Sequence, residues 1–313
     1  MDSPMEKTPK VSVLIPNYNY AHFLDEAINS VLTQTLQDFE IIIVDNSSTD
    51  NSDEVVQKYL SDPRIKYYKN PTNIGTIPNF NKCLEYGTGE YIKFLMADDK
   101  FHPELLAKFS SIMENNPSVS LVTSYRDMFG LRSKTLKTIF DGFVKGEKVI
   151  YESLKTGAGN WIGEPSTVMF RRSGLDTIGR FNPDYSCLVD LNLWLRLLTT
   201  GDAYFIPETL SYFRIHGNQL SNKNNFNNRF DEYYFYKAAK TKNEYKVDLF
   251  NLNIDDIIKS KAITCVKAMF KSIPGLYKKK QRDIVRKGLK VAFTEHVLLT
   301  SFQRSLLNHS GVS

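Results

Sequence analysis

Val11-Ser12-Val13-Leu14-Ile15 runs apolar and stops at Pro16-Asn17-Tyr18-Asn19, and Glu40-Ile41-Ile42-Ile43-Val44 repeats the pattern, stopping at Asp45-Asn46-Ser47-Ser48. Between the two, Phe23, Leu24, Ala27, Ile28, Val31 and Leu32 recur at helical spacing. A short continuous β-branched run suits a strand buried on both faces, while the 3.6-residue recurrence marks a helix with one apolar face. Two such strands joined by such a helix form a parallel crossover unit.

The same alternation continues outward from this stretch. A helix is expected over Ser52–Tyr59, a strand over Arg64–Tyr68, a helix over Asn79–Glu85, a strand over Tyr91–Leu95 and a helix from Pro103. That order implies an α/β fold with a mostly parallel central sheet flanked by helices on both faces, and ligands of such sheets bind beyond the carboxyl ends of the strands. Three segments fall there: Pro16–Asn19, Asp45–Ser48 and Ala97-Asp98-Asp99. After Leu121-Val122 the alternation lapses, and Arg126–Gly146 reads as a hairpin or lid. It resumes with Thr167–Phe170, a helix at Leu191–Leu198 and short strands at Tyr204–Ile206 and Leu210–Ile215. From Asn222 the composition shifts toward Asn, Lys, Tyr and Phe, which divides the chain into a domain over 1–221 and a basic helical region over 222–313.

Composition narrows the functional classes. A chain of 313 residues with 42% hydrophobic and 24% charged residues is neither disordered nor a disulfide miniprotein. Its three cysteines form no CxxC or Cys/His cluster, so no zinc site or disulfide framework is expected and the compartment reads as reducing. No apolar stretch is long enough to span a bilayer, and the first residues lack a secretion signal. The expected location is therefore the cytoplasm, with the inner face of its membrane as a further option. The net charge of +5 is unevenly placed: residues 261–290 carry ten Lys and Arg against one Asp, whereas residues 1–260 carry 29 against 33 acids. The basic segment interleaves these charges with apolar residues and is broken by Pro274-Gly275, which reads as two amphipathic helices suited either to an anionic membrane surface or to a solvated outer face. Nucleic acid is a poorer partner, because the rest of the chain is acidic and carries no recognition motif.

Neither GxGxxG nor GxxxxGK[ST] follows the first strand, so a Rossmann fingerprint and a Walker loop are both missing. Asp98 and Asp99 offer another way to hold a phosphate ligand, since hard oxygen ligands at a strand end bind Mg2+ or Mn2+. Their bland alternative is a solvated turn before the helix at Pro103, and that of Asp45 is a turn and cap segment. Asp190, at the start of a helix whose apolar face is Leu191, Trp194, Leu195 and Leu198, is either a dipole-stabilising acid or a desolvated general base. His216, after the strand that ends at Ile215, is either a hydrogen-bonded structural residue or a metal ligand.

Five ordered segments carry a resemblance: VSVLIPNYNYAHFLDEAINSVLTQT, EIIIVDNSSTDNS, NPTNIGTIPNFNKCLEYGTGEYIKFLMADD, EPSTVMFRRS and VDLNLWLRLLTTGDAYFIPETLSYFRIHGNQLS. The chain resembles the family 2 glycosyltransferases, inverting enzymes of GT-A fold that use nucleotide-diphosphate sugars. The resemblance implies that Pro16, Asn17, Tyr18 and Asp45 hold base and ribose, with Asn73, Gly75 and Asn81 lining the same pocket. It implies Asp98 against the ribose or diphosphate, Asp99 as a ligand of Mn2+ or Mg2+, His216 near the diphosphate and metal, Trp161 and Glu164 as sugar contacts, and Asp190 as the base that deprotonates the acceptor. A UDP-sugar is the first choice of donor and a dTDP-sugar the second; the acceptor would be a glycan, lipid-linked or protein hydroxyl in surface polysaccharide or glycoconjugate synthesis. Three positions depart from the family pattern. Met96 stands where many relatives have a further acid, Asn46-Ser47 stands for Asp-Gly, and Val189 stands for the acid before Asp190. Two other classes stay open: a catalytically inactive relative that binds nucleotide or glycan, and a sugar-1-phosphate nucleotidyltransferase, whose Gly-rich loop Pro16–Asn19 does not supply.

Overall fold

The computed structural model describes residues 8–156, 160–185, 188–217, 227–242, 244–246 and 252–297. The chain forms two compact units, one of residues 1–150, 159–183 and 189–216, the other of residues 151–158, 184–188 and 217–313. The boundary expected at 221 lies outside the described residues.

The first unit alternates β1 (Val11–Asn17), α1 (Ala21–Leu32), β2 (Phe39–Asp45), α2 (Ser52–Gln57), β3 (Ile65–Lys69), α3 (Thr76–Tyr86) and β4 (Tyr91–Phe94). A two-residue strand, β5 (Lys100–Phe101), precedes α4 (Leu105–Asn115). Then come β6 (Val119–Gly130), β7 (Lys134–Leu136), β8 (Gly142–Val144), α5 (Gly146–Thr156), β9 (Met169–Arg171), α6 (Gly174–Ile178), α7 (Val189–Leu197) and β10 (Asp202–Ile215). The strands form one sheet in the order β3-β2-β1-β4-β9-β6-β10-β5, with β7 beside β6 and β8 beside β10. β1 through β4 pair parallel, as do β6 and β10, while β9 enters antiparallel between β4 and β6.

Every residue of β1 and β2 is buried, as their unbroken apolar runs require. On one face, Val13, Ile15, Ile41 and Ile43 pack with Leu24 and Ile28 of α1 and with Leu105 and Phe109 of α4. On the other, the Phe80 ring of α3 meets those of Phe94 and Phe181 at 5.6 and 5.4 Å, and Phe170 meets Trp194 of α7 at 5.7 Å. The central sheet is thus flanked by helices.

Two expectations change in the second half of this unit. The lid reading of Arg126–Gly146 dissolves into sheet: β6 runs on through Gly130, β7 folds back on it as a hairpin, and β8 joins β10. The two short strands expected over 204–215 are one strand of 14 residues. Its register against β6 shifts between Ile206 and Thr209 and again between Thr209 and Ser211. Such bulges accommodate Pro207, which has no N–H to donate to the ladder.

The second unit contains α8 (Asn227–Lys242), α9 (Ile254–Ser272), a 3-10 turn at Ile273–Gly275 and α10 (Lys279–Glu295), so the helical reading of this region holds where it is described. Helices α9 and α10 approach closely at Gly288, where a Cβ would lie 2.4 Å from that of Met269.

Candidate active site

The parallel pairing puts the ends of β1, β2 and β4 on one rim. Asn17 and Asp45 are register partners there, and Asn17 Nδ2 donates to Asp45 Oδ2 at 2.7 Å and to Ser52 Oγ at 2.9 Å. Asp45 Oδ1 accepts from the Ser48 amide at 2.7 Å, which folds 45–48 into a tight turn with Ser47 at φ 65°. Asn17 Oδ1 is buried and has no hydrogen-bond partner among the described residues, so an acceptor at the end of β1 is left for something else. Pro16 is buried beside it and Tyr18 is exposed at the rim.

Asn46 organises the next layer. Its Nδ2 donates to Asn73 Oδ1 at 3.0 Å and to the Gly75 carbonyl at 3.2 Å, while its Oδ1 accepts from the Ile74 amide at 2.9 Å and from Asn70 Nδ2 at 3.1 Å. Gly75 has φ +91°, a conformation that suits a residue without Cβ. The amide at Asn46 is therefore more than a lost charge, because a carboxylate could not donate to Asn73 and Gly75. Asn46→Ala is expected to strip these partners in a buried setting and to destabilise the fold by about 1–3 kcal/mol; the melting temperature checks it. Asn81 Nδ2 donates to the Phe181 carbonyl at 3.0 Å and its Oδ1 accepts from the Phe181 amide at 3.1 Å, so it also fastens α3 to the 181 segment.

After β4, Asp98 Oδ2 and His216 Nε2 lie 2.9 Å apart, and the His216 ring packs against those of Tyr20 and Phe23 at 5.6 and 5.1 Å. Asp99 is buried; its Oδ1 accepts from the Arg214 amide at 2.9 Å, and the Arg214 guanidinium donates to the Asp98 carbonyl at 2.8 Å. Asp99 Oδ2 is buried without a hydrogen bond of ordinary geometry. Burial and the neighbouring Asp98 charge push the Asp99 carboxyl well above the usual carboxylate range. The same two acids and burial push the Tyr20 phenol up to about 12, which places that ring beside them.

The only side chain in the Tyr91–Leu95 run that is not apolar is Lys93, and it is fully buried. Its Nζ donates to the carbonyls of Ser166 and Pro165 and sits 4.6 Å from the centre of the Phe101 ring. Burial pulls its pKa well down, opposed by the charge of Asp99. This buried lysine was not anticipated, although a lysine inside a buried strand was the available signal.

Asp190 opens α7. Its Oδ2 accepts from Asn160 Nδ2 at 3.0 Å and its Oδ1 from the Leu191 amide at 2.8 Å. Burial pushes its carboxyl up to about 6 against those two hydrogen bonds, and the Glu164 charge adds to the rise. Asn160 also holds Gly163, donating to its carbonyl at 2.6 Å and accepting from its amide at 3.1 Å. Gly163 has φ +135°, and a Cβ there would stand 2.8 Å from that of Thr167. Glu164 forms an ion pair with Arg126, whose side chain is almost wholly buried. The Met96 amide donates to Ser166 Oγ at 2.9 Å, so the 160–166 segment that holds Asp190 is tied to the chain leading into Asp98 and Asp99. Trp161 packs against the rings of Phe140 and Phe205 at 5.6 and 5.8 Å, and its buried indole N–H has no hydrogen-bond partner among the described residues. Arg126 and Asn160 were missed by sequence reasoning, since each matters only through a partner distant in the chain.

A family comparison fits this arrangement: the description "Glycosyl transferase family 2" matches residues 12–179, more than half of the chain. The chain belongs to that family. It is 33% identical over 217 residues to TuaG of Bacillus subtilis, whose name assigns it provisionally to teichuronic acid biosynthesis, an alignment covering 68% of this chain and 82% of that one. It is 32% identical over 216 residues to the uncharacterized protein MT1568 of Mycobacterium tuberculosis, covering 66% of this chain and 67% of that one. In fold it is similar to Staphylococcus aureus TarS residues 1–349 in complex with UDP-GlcNAc, with TM-score 0.65, 18% identity, and 92% and 81% of the two chains covered. It is also similar to a Pyrobaculum calidifontis mannosyltransferase in complex with GDP-Man and Mn2+, with TM-score 0.56, 16% identity, and 97% and 88% covered. The family 2 chain is accordingly a glycosyltransferase with the GT-A architecture. Among its described residues no helix is long and apolar enough to cross a membrane.

Proposed function

We propose that this glycosyltransferase moves a sugar from a nucleotide-diphosphate donor, a UDP-sugar first, to a glycan, lipid-linked or protein hydroxyl, by a single displacement that inverts the anomeric centre, in polysaccharide or glycoconjugate assembly. The observation that carries the reading is geometric: the Met96 amide, just before Asp98 and Asp99, donates to Ser166 Oγ at 2.9 Å, and the same 160–166 segment holds Asp190 through Asn160 Nδ2 at 3.0 Å. The similar folds of TarS in complex with UDP-GlcNAc and of the mannosyltransferase in complex with GDP-Man and Mn2+ support the donor class.

In this mechanism the base and ribose lie along Pro16, Asn17, Tyr18 and Asp45, with Asn73 and Gly75 held in place by Asn46. Asn17 Oδ1, an unpaired buried acceptor, would take a hydrogen bond from the nucleoside. No group of three His, Cys, Asp or Glu side chains converges on a metal site among the described residues. The residues nonetheless fit Mg2+ or Mn2+ in the manner of a cation held by one or two carboxylates plus substrate phosphates: Asp99 Oδ2, buried with no hydrogen bond of ordinary geometry among the described residues, would supply one ligand, with the Asp98–His216 pair adjacent. Such a cation would stabilise the departing diphosphate. Asp190, recessed but still partly open to solvent, takes the acceptor proton as the hydroxyl oxygen attacks. Asn160 orients the base, and Arg126 keeps Glu164 in place beside it. Trp161 and Glu164 face the sugar in this reading, and the membrane-side location is taken up below.

A thermal-shift panel of UDP, dTDP and GDP, each alone and with Mn2+, tests the donor class. A ligand bound only by the folded state raises the melting temperature with its concentration, by about 2.7 kcal/mol of stability at one hundred times its dissociation constant. UDP with Mn2+ is expected to give the largest rise; the absence of a rise with every nucleotide would contradict the reading.

A further inference from the structure

Most surface lysines and arginines of the first unit are paired, for example Lys66 with Glu40, Lys82 with Glu85 and Arg180 with Glu85. The basic segment over 261–290 is different. Of its ten Lys and Arg only Lys261 has a carboxylate within ion-pair distance among the described residues, that of Glu232. The unpaired charges are accompanied by exposed apolar side chains. Half of the twelve exposed large hydrophobic residues described in the molecule lie between Phe270 and Phe293, among them Tyr277 at 76% and Phe293 at 73% exposure.

The helix geometry sorts these groups. In α10, Ile284, Gly288, Val291 and Ala292 are buried against the rest of the unit. On the opposite face, Arg282, Arg286, Leu289 and Phe293 recur at i, i+4, i+7 and i+11, all exposed. The turn that leads into this helix belongs to the same patch, because Arg282 Nη1 donates to the carbonyls of Leu276 and Tyr277 at 3.2 and 3.1 Å. Lys278 Nζ stands over the Tyr277 ring at 5.2 Å. A packed helix face buries its apolar side chains, and a merely solvated one has no reason to display Phe and Tyr among uncompensated cations. Apolar tips ringed by unpaired Lys and Arg match the boundary between the headgroups and acyl chains of an anionic bilayer, where aromatic side chains enter the interface and cations meet phosphates.

We propose that Leu276–Phe293 is a docking surface for an anionic lipid bilayer, which would hold the enzyme where a lipid-linked acceptor resides. As a statement about acceptors this rests on the function proposed above, whereas the binding itself is read without donor or acceptor.

The test uses the full chain and floats it with phosphatidylcholine vesicles made with and without phosphatidylglycerol, at low and high salt. Flotation with the anionic vesicles alone, weakened by salt, is the expected result. Arg282→Glu/Arg286→Glu is expected to lower partitioning by at least about tenfold, and the single variants Tyr277→Ser and Phe293→Ser, at positions too exposed to disturb the core, to lower it severalfold. Each variant is checked for an unchanged UDP thermal shift. Failure of the wild-type chain to float, equal flotation of all variants, or retention on single-stranded RNA in preference to vesicles would each overturn the proposal. A lost UDP shift in the wild-type chain would instead count against the donor reading.

Discussion

Asp190→Asn is expected to lower sugar transfer by about 10²- to 10⁴-fold, the range for loss of a positioned general base, while donor affinity stays within about twofold of the wild type because the variant keeps the side chain's volume and gives up one acceptor, the one that takes the hydrogen bond of Asn160. The pH dependence gives the same group a second signature. A base works only when ionised, and burial raises the Asp190 carboxyl from 3.8 to about 6, so kcat should climb as pH rises through that value and level off above it. Asn160 donates to the charged form, so Asn160→Ala should move the acid limb to higher pH, and raising the pH should restore much of the lost rate. Initial rates of wild type, Asp190→Asn and Asn160→Ala across pH 5–8 check both points. Full activity of Asp190→Asn would place the base elsewhere.

The second large effect is at Asp99. Asp99→Asn turns a buried carboxyl, whose charge acts on Lys93, into an amide, so transfer is expected to fall by about 10²-fold or more and its dependence on Mn2+ to flatten. A purely structural role is separable. If Asp99 served only to offset Lys93, the substitution would lower the melting temperature, and Lys93→Met in the same chain would recover both stability and activity. If it acts on the diphosphate, the double variant recovers stability alone. Metal titrations of donor affinity, read by calorimetry on each variant, distinguish the two without relying on turnover.

The fold was legible where one physical cause dominated. Val11–Ile15, Glu40–Val44 and the recurrence from Phe23 to Leu32 record burial on two faces or on one, and their strands and helix appear within two residues of expectation. The 204–215 region misled because Pro207-Glu208 looks like a break, whereas two bulges carry the strand through it. Within the site, Asp45, Asp98, Asp99 and Asp190 stood out because each ends a strand or opens a helix. What pairs with them did not. Arg126 meets Glu164 across 38 positions and Asn46 meets Asn73 across 27, and a polar side chain carries no periodicity to announce a distant partner. Asn81 is a further case, since nothing in its neighbours along the chain reveals that its amide also pairs with Phe181 across 100 positions.

A crystal structure of the enzyme with a UDP-sugar and Mn2+ puts the whole arrangement at risk in one measurement. The account predicts uracil and ribose along Asn17 and Asp45, anomalous scattering from manganese against Asp99, and the Asp190 carboxylate facing the anomeric carbon from the side opposite the diphosphate. A donor bound elsewhere on the sheet, or bound on this rim with Asp190 on the diphosphate side of the sugar, would contradict it.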